Sequence, residues 1–238
     1  MADLRFLQLA TDPTLIPGVY NACDQWCDYC PVTARCLAFK CQPAFGSGGD
    51  IYDNVAEAMR ASMAFLKDCH EAEGLEPPEQ LLRLLNRDPP SRATYTPLDD
   101  PLGRMAKHYA ALATAFLMTH EHPPLTHRFP KRPHGPTPFE VFVFYHVLIA
   151  IKICRAIVSS TDAARSGHAA ARADSDMSAK VALVAIDRSC DALQVMTLDD
   201  VDLRIEHMQR HLARLRREVE GRFPAARAFV RPGLDQQE

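Results

Sequence analysis

Apolar positions recur along most of the chain at helical spacing. Ile51, Val55, Met59, Ser62 and Leu66 follow one another at three- and four-residue steps, with Ala58 and Met63 widening the stripe, so an amphipathic helix is expected over 51–72. Asp50 is placed to cap it and Gly74 to end it. A short helix is expected around 79–86 after Pro77-Pro78, and a second main helix over 103–120. Between them Pro89, Pro90, Pro97 and Pro101 mark an irregular connection, and the six prolines of 122–138 preclude regular structure there. Residues 139–158 form the most apolar stretch. Phe142, Val143, Phe144, Val147, Leu148, Ile149 and Ile151 leave it no polar face, and its length favours a helix over a strand. His146, Lys152 and Arg155 interrupt the run before the roughly 20 residues that a membrane span needs. Residues 159–176, rich in Ser, Ala and Asp, read as a mobile surface loop. A fourth helix is expected over 177–196 and a fifth from Asp199-Asp200 onward, its seam formed by Val201, Ile205, Met208, Leu212, Leu215 and Val219. The pattern predicts an all-α protein. Residues 50–238 are expected to form an antiparallel bundle of about five main helices, and residues 1–49 an N-terminal arm carrying a cysteine-rich metal-binding loop.

Composition narrows the function classes. With 238 residues, 47% hydrophobic and 24% charged, the chain can bury a large core. A net charge of -3 gives no global field for nucleic acid or an anionic membrane, so neither is expected as a partner. No apolar leader follows the start Met-Ala-Asp-Leu-Arg-Phe, and a cytoplasmic location is expected. Nucleotide-binding loops of the GxGxxG or GxxxxGK[ST] kind do not occur.

The chemistry concentrates in Cys23-Asp-Gln-Trp-Cys27-Asp-Tyr-Cys30-Pro-Val-Thr-Ala-Arg-Cys36, with Cys41 just beyond. In a reducing compartment such crowding points to metal ligation before disulfides. Zinc sites usually join two close ligand pairs across a longer spacer, whereas this run is compact, which favours an iron-sulfur cluster of the 4Fe-4S type with zinc as the alternative. Cys23, Cys27, Cys30 and Cys36 are the expected ligands, and Cys41 could replace Cys36. Trp26 and Tyr29 would shield the centre from water.

Several resemblances attach to these residues. The stretch Cys27-x2-Cys30-Pro-x4-Cys36 resembles the Cys-x2-Cys-x5-Cys part of auxiliary cluster loops in radical-enzyme accessory domains, which implies an iron-sulfur cluster. It departs where those loops place their next cysteine, since Lys40 stands there and Cys41 comes one step later. Cys23-x3-Cys27-x2-Cys30 has the spacing of the radical S-adenosylmethionine motif, but the helical pattern lacks the parallel α/β barrel of those enzymes. The whole chain is similar to a family of uncharacterised bacterial Cys-rich helical proteins. The motifs that carry this are Tyr-Asn-x-Cys-Asp-x-Trp-Cys-x-x-Cys, here Tyr20 to Cys30, and Arg-Leu-Arg-x-Glu-Val-Glu-x-x-Phe-Pro-x-Ala-Arg-x-Phe-x-Arg-Pro-Gly, here Arg214 to Gly233. That resemblance implies a bacterial helical protein and brings no activity with it.

Glu140, His146, Lys152, Lys180, Asp187 and Arg188 fall on or near apolar helices, where a charge must find a partner. They are expected to form a buried polar network between the third and fourth helices, or a pocket, with Asp187 facing Lys152 or Lys180. His207 and His211, one turn apart, are expected to be solvated. Two functions follow. One is a cluster-bearing protein with a redox, electron-transfer or sensing role and a redox or protein partner; the other is a non-catalytic helical interaction protein whose zinc staples the arm to the bundle. Whether the centre serves catalysis stays open at this point.

Overall fold

The computed structural model describes residues 12–41, 97, 99–119, 132–199 and 202–235, with Lys67 and Gly74 as isolated positions. The helices expected over 51–72 and 79–86 lie outside these, apart from Lys67, which is helical, and Gly74, which adopts a turn. Among the described residues the regular structure is helical, with no strand. It comprises α1 (Val19–Ala22), α2 (Leu37–Cys41), α3 (Pro101–Thr119), α4 (Pro138–Ser166), α5 (Ala169–Asp199), α6 (Leu203–Arg222) and 3-10 turns at Cys27–Tyr29 and Thr33–Arg35.

The chain divides into two compact units. One holds residues 1–17 and 32–94, the other 18–31 and 95–238. This differs from a division at 49/50, because the first half of the cysteine loop sides with the long helices. In the described part of the first unit, the Ile16 amide donates to the Arg35 carbonyl at 2.9 Å and the Arg35 Nε to the Thr14 carbonyl at 3.2 Å. Lys40 pairs with Asp12 at 3.6 Å, and Cys36 is buried before α2.

In the second unit α3 packs on α4 and α6, and α5 packs on α4 and α6. The core positions keep helical periodicity: Phe142, Tyr145, Ile149, Ile153 and Ile157 on α4, and Ile205, Met208, Leu212, Leu215 and Val219 on α6. Burying each such apolar side chain contributes about 1.5–3 kcal/mol. On α5, Ala179, Ala182 and Ala185 are fully buried, and these small side chains let neighbouring helices approach closely. By length and composition α4 is the one helix among the described residues able to cross a membrane, its polar residues notwithstanding.

The sequence around α4 explains its limits. Thr137 and Glu140 form a capping box, with the Thr137 Oγ1 accepting from the Glu140 amide at 3.2 Å and the Glu140 carboxylate accepting from the Thr137 amide at 2.7 Å. Pro138 at the first helical position costs no hydrogen bond. Gly167, at φ 69°, ends the helix in the left-handed conformation that glycine adopts without strain. The expected loop over 159–176 is therefore a correction: α4 runs on to Ser166 and α5 begins at Ala169. The segment is polar because most of it is exposed, and alanine propensity carries the helix where apolar periodicity fades. Cross-helix bonds tie this hairpin together. Arg155 donates twice to Asp174, at 2.6 and 3.1 Å, the Ser159 hydroxyl donates to Asp174 at 2.5 Å, and the Ser175 hydroxyl to the Ala156 carbonyl at 3.0 Å.

Two glycines test this packing. A Cβ on Gly103 would collide with the Pro97 carbonyl, whereas one on Gly221 meets open space within an exposed helix. Urea denaturation of Gly103→Ala should show a loss of about 1–3 kcal/mol. Gly221→Ala should be neutral or stabilising by up to about 1 kcal/mol.

Candidate metal loop and adjoining cleft

The first half of the cysteine loop is shaped by backbone geometry. Gly18, at φ 71°, turns the chain into α1, whose Val19 and Ala22 are buried and which packs on α5. Cys23 follows in extended conformation, its thiol 3.4 Å from the Tyr20 carbonyl. Asp24 then folds over its own backbone, accepting from the Trp26 amide at 3.2 Å, and Gln25 takes a left-handed φ of 64°. For a side chain other than glycine that conformation costs roughly 1–2 kcal/mol, so the surroundings must hold it. The 3-10 turn Cys27–Tyr29 leads to Cys30, whose amide donates to the Cys27 carbonyl at 3.2 Å.

What holds the loop is its non-cysteine side chains. Trp26, 6% exposed, lies in the hydrophobic core and stacks on Phe144 with ring centroids 4.2 Å apart. Tyr145 and Tyr29 meet it edge-on at 5.6 and 5.2 Å, favourable aromatic geometry on both sides. The Tyr29 hydroxyl accepts from the Arg132 amide at 3.1 Å. On its other flank the Asp24 carboxylate accepts from the Tyr145 hydroxyl at 2.6 Å and from Arg188 at 2.7 Å, and Arg188 also donates to the Tyr145 oxygen at 2.5 Å. Burial, then the Asp24 carboxylate, push the Tyr145 phenol well above its ordinary range, so it remains a donor. Burial works against the Arg188 charge, but Tyr145 and Asp24 outweigh it and hold the guanidinium cationic.

Cys23, Cys27 and Cys30 are half-buried and form no disulfide. Cys36 belongs to the other unit, where it is buried and likewise not disulfide-bonded. Cys41 closes α2, and its side chain lies outside the described residues. Soft thiols are the donor chemistry that an iron-sulfur cluster or zinc takes. Among the described residues, however, no three Cys, His, Asp or Glu side chains close around one point.

The polar residues expected to form one network are dispersed, a second correction. Asp187 binds Arg227 at 2.5 and 3.3 Å and Arg216 at 3.1 Å on a partly exposed face, not Lys152. Lys180 donates to the Arg227 carbonyl at 2.9 Å and lies 3.9 Å from Asp235. Glu140 pairs with Arg132 at 3.1 Å beside the α4 cap. His146 sits half-buried, its Nδ1 2.6 Å from the Val143 carbonyl. Lys152 is 4% exposed; burial and the Arg155 charge lower its pKa, while Cys23, Asp174 and Asp24 oppose that shift. Of the six, Arg188 hydrogen-bonds to the loop, and Lys152 lies within electrostatic reach of Cys23 and Asp24. His207 is exposed as expected, but His211 is half-buried, 3.0 Å from the Met105 carbonyl. The partners that the residue pattern did not single out are Asp24 and Tyr145. A buried tyrosine hydroxyl usually finds a hydrogen-bond partner, and for Tyr145 Asp24 is the acceptor.

Beside the loop lies a cleft of about 520 Å³, lined on one side by Trp26, Tyr29 and Cys30 and on the other by Tyr145, Arg188 and Asp191. No protein-family model, curated protein or solved structure matches the chain.

The two polar arrangements differ in energetic consequence. Asp187 lies at a 37% exposed ion pair, so Asp187→Ala should cost no more than about 1 kcal/mol. The Asp24–Tyr145 contact is shielded, and a double-mutant cycle of Asp24→Asn with Tyr145→Phe should show a coupling of about 0.5–3 kcal/mol. Burial also lowers the pKa of His146 and of His211, so the native state resists protonation that the unfolded chain accepts. Such stability is complete above the unfolded value, about 6.5, and declines as pH falls below it. Thermal unfolding should therefore occur at a lower temperature at pH 5.5 than at pH 7.5, and His146→Gln should reduce that difference.

Proposed function

We propose that the chain is a metal-binding protein carrying an iron-sulfur cluster, of the 4Fe-4S type, on Cys23, Cys27, Cys30 and Cys36. Its role is redox, electron transfer or sensing with a redox or protein partner, on an antiparallel helical bundle in a reducing cytoplasm. The observation that supports this reading is the division of labour within the loop. Cysteine is among the residues most often buried for packing. Here Trp26 and Asp24 do the packing and pairing, while Cys23, Cys27 and Cys30 between and beside them stay half-buried. A bound cluster would supply reversible one-electron chemistry, and Trp26 and Tyr29 would limit water access to it. The alternative, zinc stapling an arm to a bundle, is less favoured because residues 24–29 already have protein anchors.

Anaerobic purification, or reconstitution with iron and sulfide, should give a coloured protein with broad visible absorption and stoichiometric iron and sulfide. Cys27→Ser and Cys30→Ser should each lose the metal, Cys154→Ser should retain it, and Cys36→Ser against Cys41→Ser identifies the fourth ligand. A colourless protein with one zinc would support the alternative. Full metal content in Cys27→Ser or Cys30→Ser would overturn the ligand assignment.

A further inference from the structure

We infer that the cleft between the loop and α5 binds a zwitterionic α-amino acid with an apolar or aromatic side chain, its carboxylate on Arg188 and its ammonium on Asp191. This does not rest on the metal reading, since every group it uses is a side chain of the second unit.

The lining carries two guanidinium groups and two carboxylates, Arg188, Arg231, Asp24 and Asp191. Their existing bonds leave two of them with capacity for a ligand. Arg231 is committed to Asp235 through Nε and one terminal nitrogen, at 3.0 and 2.7 Å. Asp24 is committed to Tyr145 and Arg188. Arg188 uses a single terminal nitrogen for both its bonds, and among the described residues its Nε and other terminal nitrogen have no protein partner. Asp191 has neither ion pair nor side-chain hydrogen bond among the described residues and is exposed. One cationic edge and one carboxylate are thus available to a ligand.

These two groups are well placed for a zwitterion. Residues three apart on a helix share a face, about 5–6 Å between Cβ atoms, so Arg188 and Asp191 present opposite charges at neighbouring points. The guanidinium is fixed by Asp24 and Tyr145, which reduces the ordering cost of clamping a carboxylate on its outer edge. A simple anion would gain Arg188 but face Asp24 and Asp191; a simple cation would face Arg188 and Arg231. A ligand carrying both charges meets both demands. The remaining wall, with Trp26, Tyr29, Val141 and Val195 among its residues, suits an apolar side chain.

Trp26 is the only tryptophan in the chain and lines the cleft, so its emission reports on occupancy. The protein should be titrated with L-phenylalanine, with hydrocinnamate, which lacks the amine, and with phenethylamine, which lacks the carboxylate. A saturable emission change with phenylalanine is expected below about 10 mM, with each truncated probe at least about tenfold weaker. Arg188→Met should weaken phenylalanine binding by about tenfold or more, but it also unbraces Asp24. Asp191→Asn touches no part of that brace, is nearly isosteric and should lower phenylalanine affinity about tenfold while leaving hydrocinnamate unchanged or tighter. Circular dichroism melts that match the unsubstituted chain confirm that Asp191→Asn is folded. The inference is overturned by the absence of saturable binding below that concentration, by hydrocinnamate binding as tightly as phenylalanine, or by a folded Asp191→Asn with unchanged phenylalanine affinity.

Discussion

The seating of residues 23–30 on the long helices depends on the burial of one indole. Trp26 sits on a short irregular segment with little regular hydrogen bonding of its own, yet it reaches the same core as the long helices and stacks flat on Phe144. Asp24, two residues earlier, secures the opposite flank by accepting from Tyr145 and Arg188. Apolar burial fixes depth and the charge-assisted bonds fix orientation. Between these anchors the backbone can sustain the left-handed Gln25, and Cys23, Cys27 and Cys30 stay half-buried.

Helix α4 serves both the scaffold and the site. Consecutive residues Phe144 and Tyr145 meet Trp26 stacked and edge-on, while Phe142, Ile149 and Ile153 fill the core between α3 and α5. Adjacent residues on a helix point about 100° apart, and the single indole bridges both rings. Cys30 and Trp26 line the same cleft as Arg188 and Asp191 of α5.

The fold class was legible because the apolar run of α4 is long enough to favour a helix and α6 keeps an apolar seam, Ile205, Met208, Leu212, Leu215 and Val219, which is buried as its spacing implies. The tip of the α4–α5 hairpin was not legible. Exposed helix carries no apolar signal, and its stabilisation by Arg155, Ser159 and Asp174 links residues 15 and 19 apart. The site was legible as a cluster of thiols and not as a set of contacts. Asp24 meets Tyr145 across 121 residues and Arg188 across 164, separations that no local pattern encodes. The misassignment of Asp187 has a related cause. Its apolar neighbours implied burial, but its helix turns it toward a partly exposed face where Arg216 and Arg227 are in reach.

Trp26 and Asp24 hold the loop through protein contacts, and the solitary indole offers a direct test. Trp26 emission and its quenching by acrylamide should be measured on anaerobic protein before and after a strong chelator strips any bound metal. An emission maximum that stays blue-shifted, with quenching as weak as before, is the predicted result. A shift to the red with an openly quenched indole in the metal-free chain would contradict it, because the metal would then be what holds residues 23–30 in place.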